Sequence, residues 1–372
     1  MKILYSIWSL ASENGGPTRS TIGYAKALAK IGADIVLLSH DPNSASSDVI
    51  VDLERAGVEF RAGRGHSFKI AYSDSCSLLD KIKPDLVHIQ GMWKLSTHAM
   101  NVAAAKRNIP IVISPHGMLD PWALKVKRWK KRLGMMLYQS GDLRRASAFQ
   151  VMCEAEASHV REFGLTAPTF VVPIGVECPT AISVDDDSHV TNHPKTVLFL
   201  SRLHPGKGLL LLAEAWAKLR PNGWRVLVVG PDKRDHKAEV QTRLSQLGIS
   251  DEWEFYGQVN DIEKWSLYRA ADLFVHPSAS ENFCLSIAEA LASGLPVITT
   301  KGCPWSIIDG KCGWWVDRTV DALCGALRSA IEMPIDQRAH MGEVAKAMIR
   351  DNFSWPVVAK KMVDGYESIL RR

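Results

Sequence analysis

The sequence lacks paired cysteines and long apolar runs. Its seven cysteines are odd in number and none lies in a CxxC pair, which argues against a disulfide framework and against a zinc site. No stretch approaches the roughly 20 apolar residues of a spanning helix. The opening MKILYSIWSL lacks the parts of a signal peptide and is interpreted as a buried strand. These absences predict a chain that stays in a reducing cytoplasm.

The length and the hydrophobic pattern predict two domains. A chain of 372 residues with 46% hydrophobic content can build two cores. Short runs rich in Val and Ile alternate with amphipathic stretches of helical length, which is typical of βαβ units around a parallel sheet. The pattern fails in the polar segment 177–194 and restarts after it. The fold class is therefore α/β, with domains at 1–176 and 195–352 joined by a linker at 177–194.

The predicted strands fall into two series. They occupy 2–7, 34–39, 85–90, 110–114, 148–152 and 169–173 in the first half, and 196–201, 224–230, 252–257, 272–277 and 295–300 in the second. From residue 320 onwards the chain is predicted to be helical, with breaks near Pro334 and Pro356. Ligands of such sheets bind outside the carboxyl ends of the strands, so a cleft between two facing sheets is the expected site.

The net charge of +5 is concentrated in the first half. Residues 1–178 carry 22 Lys and Arg against 16 Asp and Glu, whereas the remainder carries 23 against 24. Much of the excess lies in one run from Lys125 to Arg132, with Trp129 inside it. Such a run is commonly a solvated helix face; the alternatives are a patch for anionic lipid or a lipid-diphosphate acceptor. No nucleic-acid-binding motif accompanies the charge, so nucleic acid is not an expected partner.

The segment PSASENFCLSIAEALASGLPVITT, residues 277–300, carries the strongest signal of a site. Glu281 follows an apolar strand, and Glu289 falls on a helix that begins near Leu285. Main-chain N–H groups from Asn282 through Phe283 and Cys284 to Leu285 would open that helix and favour an anion. The two carboxylates suit sugar and ribose hydroxyls. The alternative is that Glu281 is a cap and Glu289 a solvated helix residue.

This segment resembles the EGFG(x)EAMAxGxPVV signature of glycosyltransferase family 4, and the resemblance extends over nearly the whole chain. It implies a retaining enzyme with the GT-B fold, two Rossmann-like domains facing across a cleft, and a terminal helix at 353–372 that crosses back to the first domain. It also implies that Glu281 contacts the donor sugar and Glu289 the ribose. Asn282 and Cys284 replace the two glycines of the signature, and Asn tolerates left-handed backbone well.

Two cations are predicted to stabilise the departing diphosphate. The segment SRLHPGKGLLLLAEAWAKL, residues 201–219, resembles the SRLxxxKG motif of the same family. Negative charge develops on the leaving group as the glycosidic bond breaks, so Arg202 and Lys207 would lower the barrier electrostatically. The segment is not a P-loop, since GKG lacks the following Ser or Thr. As isolated residues, both would be surface charges.

Two further loops follow strands of the first domain. Gly15 and Gly16 precede Pro17, which suits the first helical position, and paired glycines let the backbone approach a ligand closely. His116 lies in ISPHGMLDPW after a strand, and a lone histidine there could simply bond a neighbouring carbonyl. The resemblance implies that the glycine loop lies over the donor phosphates and that His116 contacts the donor sugar near its reacting carbon.

These features predict a glycosyltransferase that moves a hexose or related sugar from a nucleotide-sugar to a glycan or lipid-linked acceptor in bacterial surface polysaccharide synthesis. The donor is a substrate, and neither a cofactor nor a metal is expected, because the acidic run Asp185–Asp187 lies in the polar linker. We expect it in the cytoplasm, peripheral on the inner face of the cell membrane. The rival interpretations are a nucleotide-sugar epimerase, a sugar phosphorylase, or a catalytically silent partner in an assembly complex.

Overall fold

The computed structural model describes residues 1–11, 15–65, 67–177, 194–232 and 235–371. The chain divides into two compact units, of which unit 1 comprises Met1–Gly175 with Trp355–Arg372 and unit 2 comprises Val176–Ser354. Most of the predicted linker, including Asp185–Asp187, lies outside the described residues. None of the described helices is both long enough and apolar enough to span a membrane.

Unit 1 is built on a seven-stranded parallel sheet of order β3-β2-β1-β4-β5-β6-β7. Its strands are β1 Lys2–Ile7, β2 Asp34–Ser39, β3 Val58–Ala62, β4 Leu86–Gln90, β5 Ile111–Ser114, β6 Ala148–Val151 and β7 Thr169–Val171. Its helices are α1 Gly16–Lys30, α2 Ser47–Arg55, α3 Phe68–Ile82, α4 Leu95–Ala105, α5 Pro121–Lys125, α6 Arg128–Gly134, α7 Ser140–Arg145, α8 Glu154–Glu162 and α15 Trp355–Leu370. A π-helical turn, Met135–Gln139, joins α6 to α7.

The core of unit 1 covers both faces of its sheet, as a parallel sheet requires. Alternate residues of β1 point to opposite faces, so Ile3 and Tyr5 join one apolar cluster and Leu4 joins the other. The terminal helix α15 packs on the face of Tyr5 and buries Met362 and Tyr366 there. The end of the chain is therefore part of the first unit's core.

Unit 2 repeats the architecture with a six-stranded parallel sheet of order β10-β9-β8-β11-β12-β13. Its strands are β8 Lys195–Leu200, β9 Trp224–Val229, β10 Trp253–Gly257, β11 Leu273–His276, β12 Val297–Thr300 and β13 Gly313–Val316. Its helices are α9 Leu209–Leu219, α10 His236–Leu247, α11 Asp261–Ala270, α12 Leu285–Ala292, α13 Val320–Glu332 and α14 Ile335–Phe353. Phe199 of β8, Trp216 of α9 and Leu327 of α13 share one buried cluster.

The strand order reverses at one point in each sheet. In unit 1, β1 pairs with both β2 and β4, and in unit 2, β8 pairs with both β9 and β11. Loops that leave the carboxyl ends of the two central strands run in opposite directions at such a point and leave room for a ligand. The predicted site residues lie after β1 and β5 in unit 1, and after β8 and β11 in unit 2.

Prolines shorten four of the predicted strands. Pro110, Pro173, Pro277 and Pro296 fall within the predicted ranges but outside the observed strands, because proline has no N–H to donate to a sheet ladder. Two strands are absent from the prediction, β3 and β13, and both lie at sheet edges. Edge strands are half solvated, so they lack the continuous Val and Ile runs that identify a buried strand.

Candidate functional site

Three loops of unit 2 interlock at the carboxyl ends of β8, β11 and β12. The carbonyl oxygen of Gly206 accepts hydrogen bonds from Ala279 N at 2.8 Å and from Ser278 Oγ at 3.1 Å. Gly208 has φ +84°, and a Cβ on it would lie 2.1 Å from the Pro277 carbonyl oxygen, so only glycine fits there. The loop that carries Lys207 is thereby fixed against the segment that leads to Glu281.

Two side chains that can carry a positive charge contact the same carboxylate oxygen of Glu281. Lys207 Nζ lies 2.5 Å from Glu281 Oε1, and His276 Nε2 lies 3.0 Å from the same atom. The side chains of Lys207 and Glu281 are 18% and 13% exposed, so a ligand can still reach them. The adjacency of β8 and β11 brings together the two loops, although the residues are 74 positions apart.

The cluster holds Glu281 in its charged form. Burial alone would raise the pKa of Glu281, but the hydrogen bond from His276 and the charge of Lys207 hold it well below its usual range. Burial opposes the charged form of His276, yet negative charge beside it raises its pKa. Cys284 is one neighbour of His276, but burial holds the pKa of that thiol well above its usual value. Glu281 therefore supplies the charge, and the pair is an ionised carboxylate beside an imidazolium.

His276 is a site residue that the sequence analysis missed. Its side chain is 1% exposed, and its ring stacks between Phe199 and Phe274, with interplanar angles of 12° and 4°. Within the described part of the chain, its Nδ1 has no hydrogen-bond partner. The available signal was a histidine at the end of the apolar strand DLFVHP. Alone, it would fit a structural role equally well.

Glu289 lies on α12 and is engaged by α11. Lys264 Nζ donates to Glu289 Oε1 at 2.6 Å, and Tyr268 Oη donates to Oε2 at 3.1 Å. Glu289 is 6% exposed and Lys264 is 7% exposed. Each carboxylate oxygen has a second lone pair, so Glu289 can still accept hydroxyl donors. Lys264 lies in an ordinary amphipathic stretch, and no signal in the sequence marks it as a partner.

The residue with left-handed backbone at the start of α12 is not the one that the sequence suggested. The helix begins at Leu285 as predicted, but the left-handed residue before it is Cys284, with φ +69°, and not Asn282. The chain must turn sharply into the helix at that residue, where the family signature has its second glycine. The Phe283 ring is buried against Trp305, with centroids 5.2 Å apart. The side chain of Phe283 thus anchors the turn in the core of unit 2.

Arg202 is not joined to the cluster. Its side chain is exposed at the start of the loop after β8, and it forms no ion pair with any residue that the structure describes. Lys207, five residues later, is the cation that the structure brings to Glu281. The geometry therefore separates two cations to which the sequence assigned the same role.

In unit 1, His116 is held neutral with one nitrogen available. Its Nε2 lies 2.8 Å from Gln90 Oε1, and the amide oxygen can only accept, so Nε2 carries the proton. Burial lowers the pKa of His116 to about 4. Within the described residues its Nδ1 is buried without a partner. His116 can therefore accept a hydrogen bond from a hydroxyl group at Nδ1.

Glu156 positions the loop that carries His116. Its Oε1 accepts from Gly117 N at 2.6 Å and its Oε2 accepts from Met152 N at 2.8 Å. Glu156 is 2% exposed, whereas its neighbour Glu154 is exposed at the start of α8. His116 has φ +53°, a strained value for a non-glycine residue that persists only where surrounding contacts fix it.

The glycines of the first loop have different roles. Gly15 caps α1 with φ +66°, so its backbone favours glycine, whereas Gly16 is the first residue of the helix. A Cβ on either glycine would meet no atom of the described residues within 4 Å. The predicted residues Gly15, Gly16 and His116 thus belong to unit 1, and the remaining ones belong to unit 2.

Two protein-family models match the chain on either side of the linker. A model described as glycosyl transferase 4-like domain matches residues 15–175, and one described as glycosyl transferases group 1 matches residues 184–348. The chain belongs to the glycosyl transferases of group 1. This group 1 chain has the predicted GT-B fold class, with two parallel Rossmann-like sheets and a terminal helix that returns to the first unit.

The curated relatives share a modest fraction of identical residues with this chain. It is 32% identical over 182 residues to a D-inositol 3-phosphate glycosyltransferase of Corynebacterium efficiens, covering 47% of the chain and 43% of the relative. It is 25% identical over 326 residues to an MMP alpha-(1->4)-mannosyltransferase of Mycolicibacterium hassiacum, covering 84% and 73%. The chain spans less than half the length of the first of these relatives.

Solved structures share the fold over the whole chain. HepE of Anabaena, in complex with UDP and glucose, superposes with a TM-score of 0.77 at 22% identity, covering 99% of this chain and all of that one. The lipopolysaccharide outer core galactosyltransferase WaaB superposes with a TM-score of 0.72 at 17% identity, covering 99% of each. At these identities the likeness shows the fold.

Proposed function

We propose that this protein is a retaining, metal-independent glycosyltransferase that moves a hexose or related sugar from a nucleotide-sugar donor to a glycan or lipid-linked acceptor. The observation that carries the proposal is the cluster of Lys207, His276 and Glu281 at the switch point of the second sheet. A carboxylate that is kept charged and partly exposed can accept hydrogen bonds from sugar hydroxyls. The family membership supports the same activity.

The second unit would hold the donor. Glu281 would accept hydroxyls of the sugar, and Glu289, whose oxygens each keep a free lone pair, would accept those of the ribose. Lys207 and the N-terminal end of α12 would stabilise the diphosphate, and Arg202 would join them from its exposed position. Lys207, Glu281 and Glu289 are held by hydrogen bonds before the donor arrives, so these three need little reorganisation during the reaction.

The transfer step conserves the anomeric configuration in this proposal. The bond between the anomeric carbon and the diphosphate oxygen breaks, and the acceptor oxygen forms its bond to that carbon on the same face. The acceptor proton passes to the departing phosphate oxygen, so charge and atoms balance. In unit 1, the Nδ1 of His116 would accept a sugar hydroxyl, and the Gly15 and Gly16 loop would approach the phosphates.

The relatives suggest the biological setting and the order of donors to test. The chain is 27% identical over 186 residues to a lipopolysaccharide 1,2-N-acetylglucosaminetransferase of Salmonella typhimurium, covering 46% of the chain and 48% of that relative. Two structural neighbours are named for lipopolysaccharide synthesis, and HepE is bound to UDP or UDP-glucose. We infer a role in bacterial surface polysaccharide synthesis and place UDP-sugars first among the donors.

Donor binding and product analysis test the proposal together. We expect one nucleotide-sugar among UDP-, GDP- and ADP-sugars to raise the thermal midpoint, because a ligand at 100 times its Kd stabilises by about 2.7 kcal/mol. NMR of the product formed with acceptor should then show the donor's anomeric configuration. A new sugar nucleotide formed without acceptor indicates an epimerase, and a sugar phosphate formed with inorganic phosphate indicates a phosphorylase. Absence of any donor binding leaves the silent-partner interpretation.

The basic run in unit 1 is flanked by exposed apolar side chains. Lys125, Lys127, Lys130 and Arg132 are exposed, as is Trp129 at 67%. The exposed large hydrophobic residues of this surface are Trp122, Val126, Trp129, Leu133, Met136 and Leu137. Trp129, Leu133 and Leu137 recur at helical spacing. Basic and apolar side chains on one surface suit an anionic membrane, where each cation contributes about 1 kcal/mol.

We therefore propose that this surface attaches the protein reversibly to anionic membranes, where a lipid-linked acceptor is found. The test is flotation with vesicles that contain phosphatidylglycerol. The triple change of Lys127, Lys130 and Arg132 to Glu should abolish flotation. A matched triple change of the exposed Lys30, Lys69 and Lys81 to Glu, also in unit 1, should preserve most of it. Equal flotation of the two variants, or none with the native chain, would assign the run to a solvated helix face.

A further inference from the structure

Three kinds of metal-binding side chain meet beside the proposed donor-sugar carboxylate. One ligand atom from each of His276, Glu281 and Cys284 lies within 4.8 Å of the other two. Imidazole, carboxylate and thiolate are the usual ligands of Zn²⁺ in proteins. His276 ends β11, whereas Cys284 caps α12. The turn between β11 and α12 therefore brings these three ligands together, and their spacing in the sequence does not match a known metal-binding motif.

The cluster is already arranged for a small ion. The His276 ring is fixed by stacking on Phe199 and Phe274, and its Nδ1 is buried without a partner among the described residues. Two ligand atoms on a tetrahedral zinc are roughly 3.5 Å apart, given bond lengths of about 2.0 to 2.3 Å. His276 Nε2 and Glu281 Oε1 are already 3.0 Å apart. A small movement of the ligand side chains would complete three of four positions.

Lys207 is the group that a cation would have to displace. Its Nζ bonds the same Glu281 oxygen at 2.5 Å, and its side chain is 18% exposed, so the ammonium can turn towards solvent. An ammonium and a divalent cation repel each other at this range. The resting ion pair between Lys207 and Glu281 is therefore in direct competition with a metal ion.

We propose that His276, Glu281 and Cys284 form a binding site for a thiophilic divalent cation such as Zn²⁺, which takes the place of Lys207 at Glu281. The thiol of Cys284 releases its proton to solvent as the metal–sulfur bond forms, and His276 releases the Nε2 proton that it donates to Glu281 as that nitrogen binds the metal. A solvent molecule would complete the tetrahedral coordination. Because soft thiolate ligands favour Zn²⁺ over Mg²⁺, the site is expected to discriminate against Mg²⁺.

A metal at this position would oppose sugar transfer instead of assisting it. This consequence rests on the proposed function, because it follows only if Glu281 accepts the donor sugar and Lys207 the diphosphate. Binding of the metal occupies Glu281 and removes Lys207 at once. Zn²⁺ should therefore inhibit transfer reversibly, with recovery on addition of a chelator. The metal site itself can be tested without any donor.

The direct test is a titration of the tag-free chain with Co²⁺, which reports sulfur ligation by an intense near-ultraviolet charge-transfer band. We expect the band in the native chain, its loss on addition of Zn²⁺ but not of Mg²⁺, and its absence in Cys284→Ser. Cys284→Gly is a second variant that the left-handed backbone accepts without strain. Cys153→Ser, at a half-buried cysteine that caps α8 in unit 1, is the matched control and should keep the band.

The Lys207→Met variant tests whether removal of the ammonium raises or lowers the affinity for Co²⁺. Removal of the competing ammonium should tighten Co²⁺ binding by about tenfold or more, since a neighbouring charge in partly buried surroundings is worth at least about 1.4 kcal/mol. The absence of a band in the native chain, or its persistence in both Cys284 variants, would overturn the site. A Lys207→Met variant that binds more weakly would overturn the competition. A chain that gives the band but transfers no sugar would instead contradict the proposed function.

Discussion

The two units share an architecture but differ in how they stabilise buried polar groups. In unit 2 the central carboxylates are paired with cations, Glu281 with Lys207 and Glu289 with Lys264. In unit 1 the corresponding edge of the sheet has a neutral histidine, His116, that hydrogen-bonds an amide. The carboxyl ends of the two sheets therefore differ in charge at these residues.

A chain of neutral hydrogen bonds also crosses the sheet of unit 1. The Tyr366 hydroxyl lies 2.6 Å from both the Tyr5 hydroxyl and His88 Nδ1, and His88 Nε2 lies 2.6 Å from Ser114 Oγ. Ser114 in turn donates to Gln150. Burial holds the pKa of His88 well below its usual value, so the whole chain can remain uncharged. Tyr366 also ties the terminal helix α15 to β1 and β4 of the first unit.

The difference shows what each kind of network is suited to do. Buried ion pairs are costly to break because one charge remains without a partner, so unit 2 keeps ionised carboxylates in place for ligands that donate hydrogen bonds. Networks of neutral groups avoid the cost of removing a charge from water. Their hydrogen bonds are directional and so hold the side chains in defined positions. If the second unit holds the donor as proposed, its paired charges lie where a nucleotide-sugar binds.

The largest effect is expected from breaking the ion pair of Glu289. Glu289→Ala leaves the buried Lys264 with only the exposed Asp261, at 3.0 Å, as an ion-pair partner among the described residues, so the free energy of unfolding should fall by up to about 3 kcal/mol in a urea titration. The double variant Glu289→Leu with Lys264→Met removes both charges and should recover most of that loss. Both should bind the nucleoside diphosphate about tenfold more weakly or worse by calorimetry, because charged hydrogen bonds contribute on the order of 1.5 to 3 kcal/mol. Native affinity in the double variant would contradict the ribose assignment.

The second prediction distinguishes the contribution of the donor sugar from that of the nucleotide. Glu281→Gln should slow transfer by about 10- to 100-fold, the loss expected for one charged hydrogen bond. Affinity for the nucleoside diphosphate should change little, because Glu281 is assigned to the sugar. Glu343→Gln, at an exposed glutamate of α14 that pairs with Lys346, is the control and should behave as the native chain. Normal turnover of Glu281→Gln would remove Glu281 from the reaction.

A smaller effect should appear on acidification and should distinguish the units. The folded pKa of His116 is about 4, below the unfolded value of about 6.5, so the unfolded chain binds the proton first as pH falls. His116 by itself should cost unit 1 about 1 to 2 kcal/mol of stability between pH 7 and pH 5, and His88, whose pKa burial also lowers, should add to that loss. The pKa of Glu281 is lowered on folding, so its stabilisation is present above about pH 4.3 and is lost only at lower pH. The pKa of His276 is raised on folding, which favours the folded state as pH falls, so unit 2 should not lose stability over the same interval.

Hydrogen exchange at pH 7 and pH 5, corrected for intrinsic rates and performed in EDTA, measures this difference. Peptides from β4 and β5 should lose protection at pH 5, and peptides from β8 and β11 should not. His116→Gln should reduce the loss in unit 1, whereas His340→Gln, an exposed histidine of α14, should leave it unchanged. Greater loss of protection in unit 2 would reverse the comparison.

The smallest effect is expected from removal of metals. If protein cations neutralise the departing diphosphate, exhaustive EDTA treatment should leave the initial rate of transfer unchanged. Lys207→Ala should be slower than the native chain under saturating donor and equally insensitive to EDTA. Loss of activity in EDTA that Mg²⁺ or Mn²⁺ restores, together with a fully active Lys207→Ala, would show that a metal performs this role.

The sequence by itself determined most of the strands of both sheets. Periodic apolar runs identified five of the six strands of unit 2 and six of the seven of unit 1, because a strand buried on both faces needs continuous apolar residues. The family resemblance, together with their places in loops after strands or on the helix that follows, marked Glu281, Glu289, Lys207 and His116 as candidates. The apolar runs could not identify β3 and β13, whose edge positions relax that requirement.

Only the tertiary structure decided the partners of those residues. His276 and Lys207 reach one oxygen of Glu281 because β8 and β11 are neighbours in the sheet, and Lys264 reaches Glu289 because α11 packs beside α12. Arg202, an equal candidate in the sequence, has an exposed side chain. Periodicity along the chain reports which face of an element is buried, but strand order and helix packing determine which side chains meet across it. The charge state of Glu281 follows from those contacts.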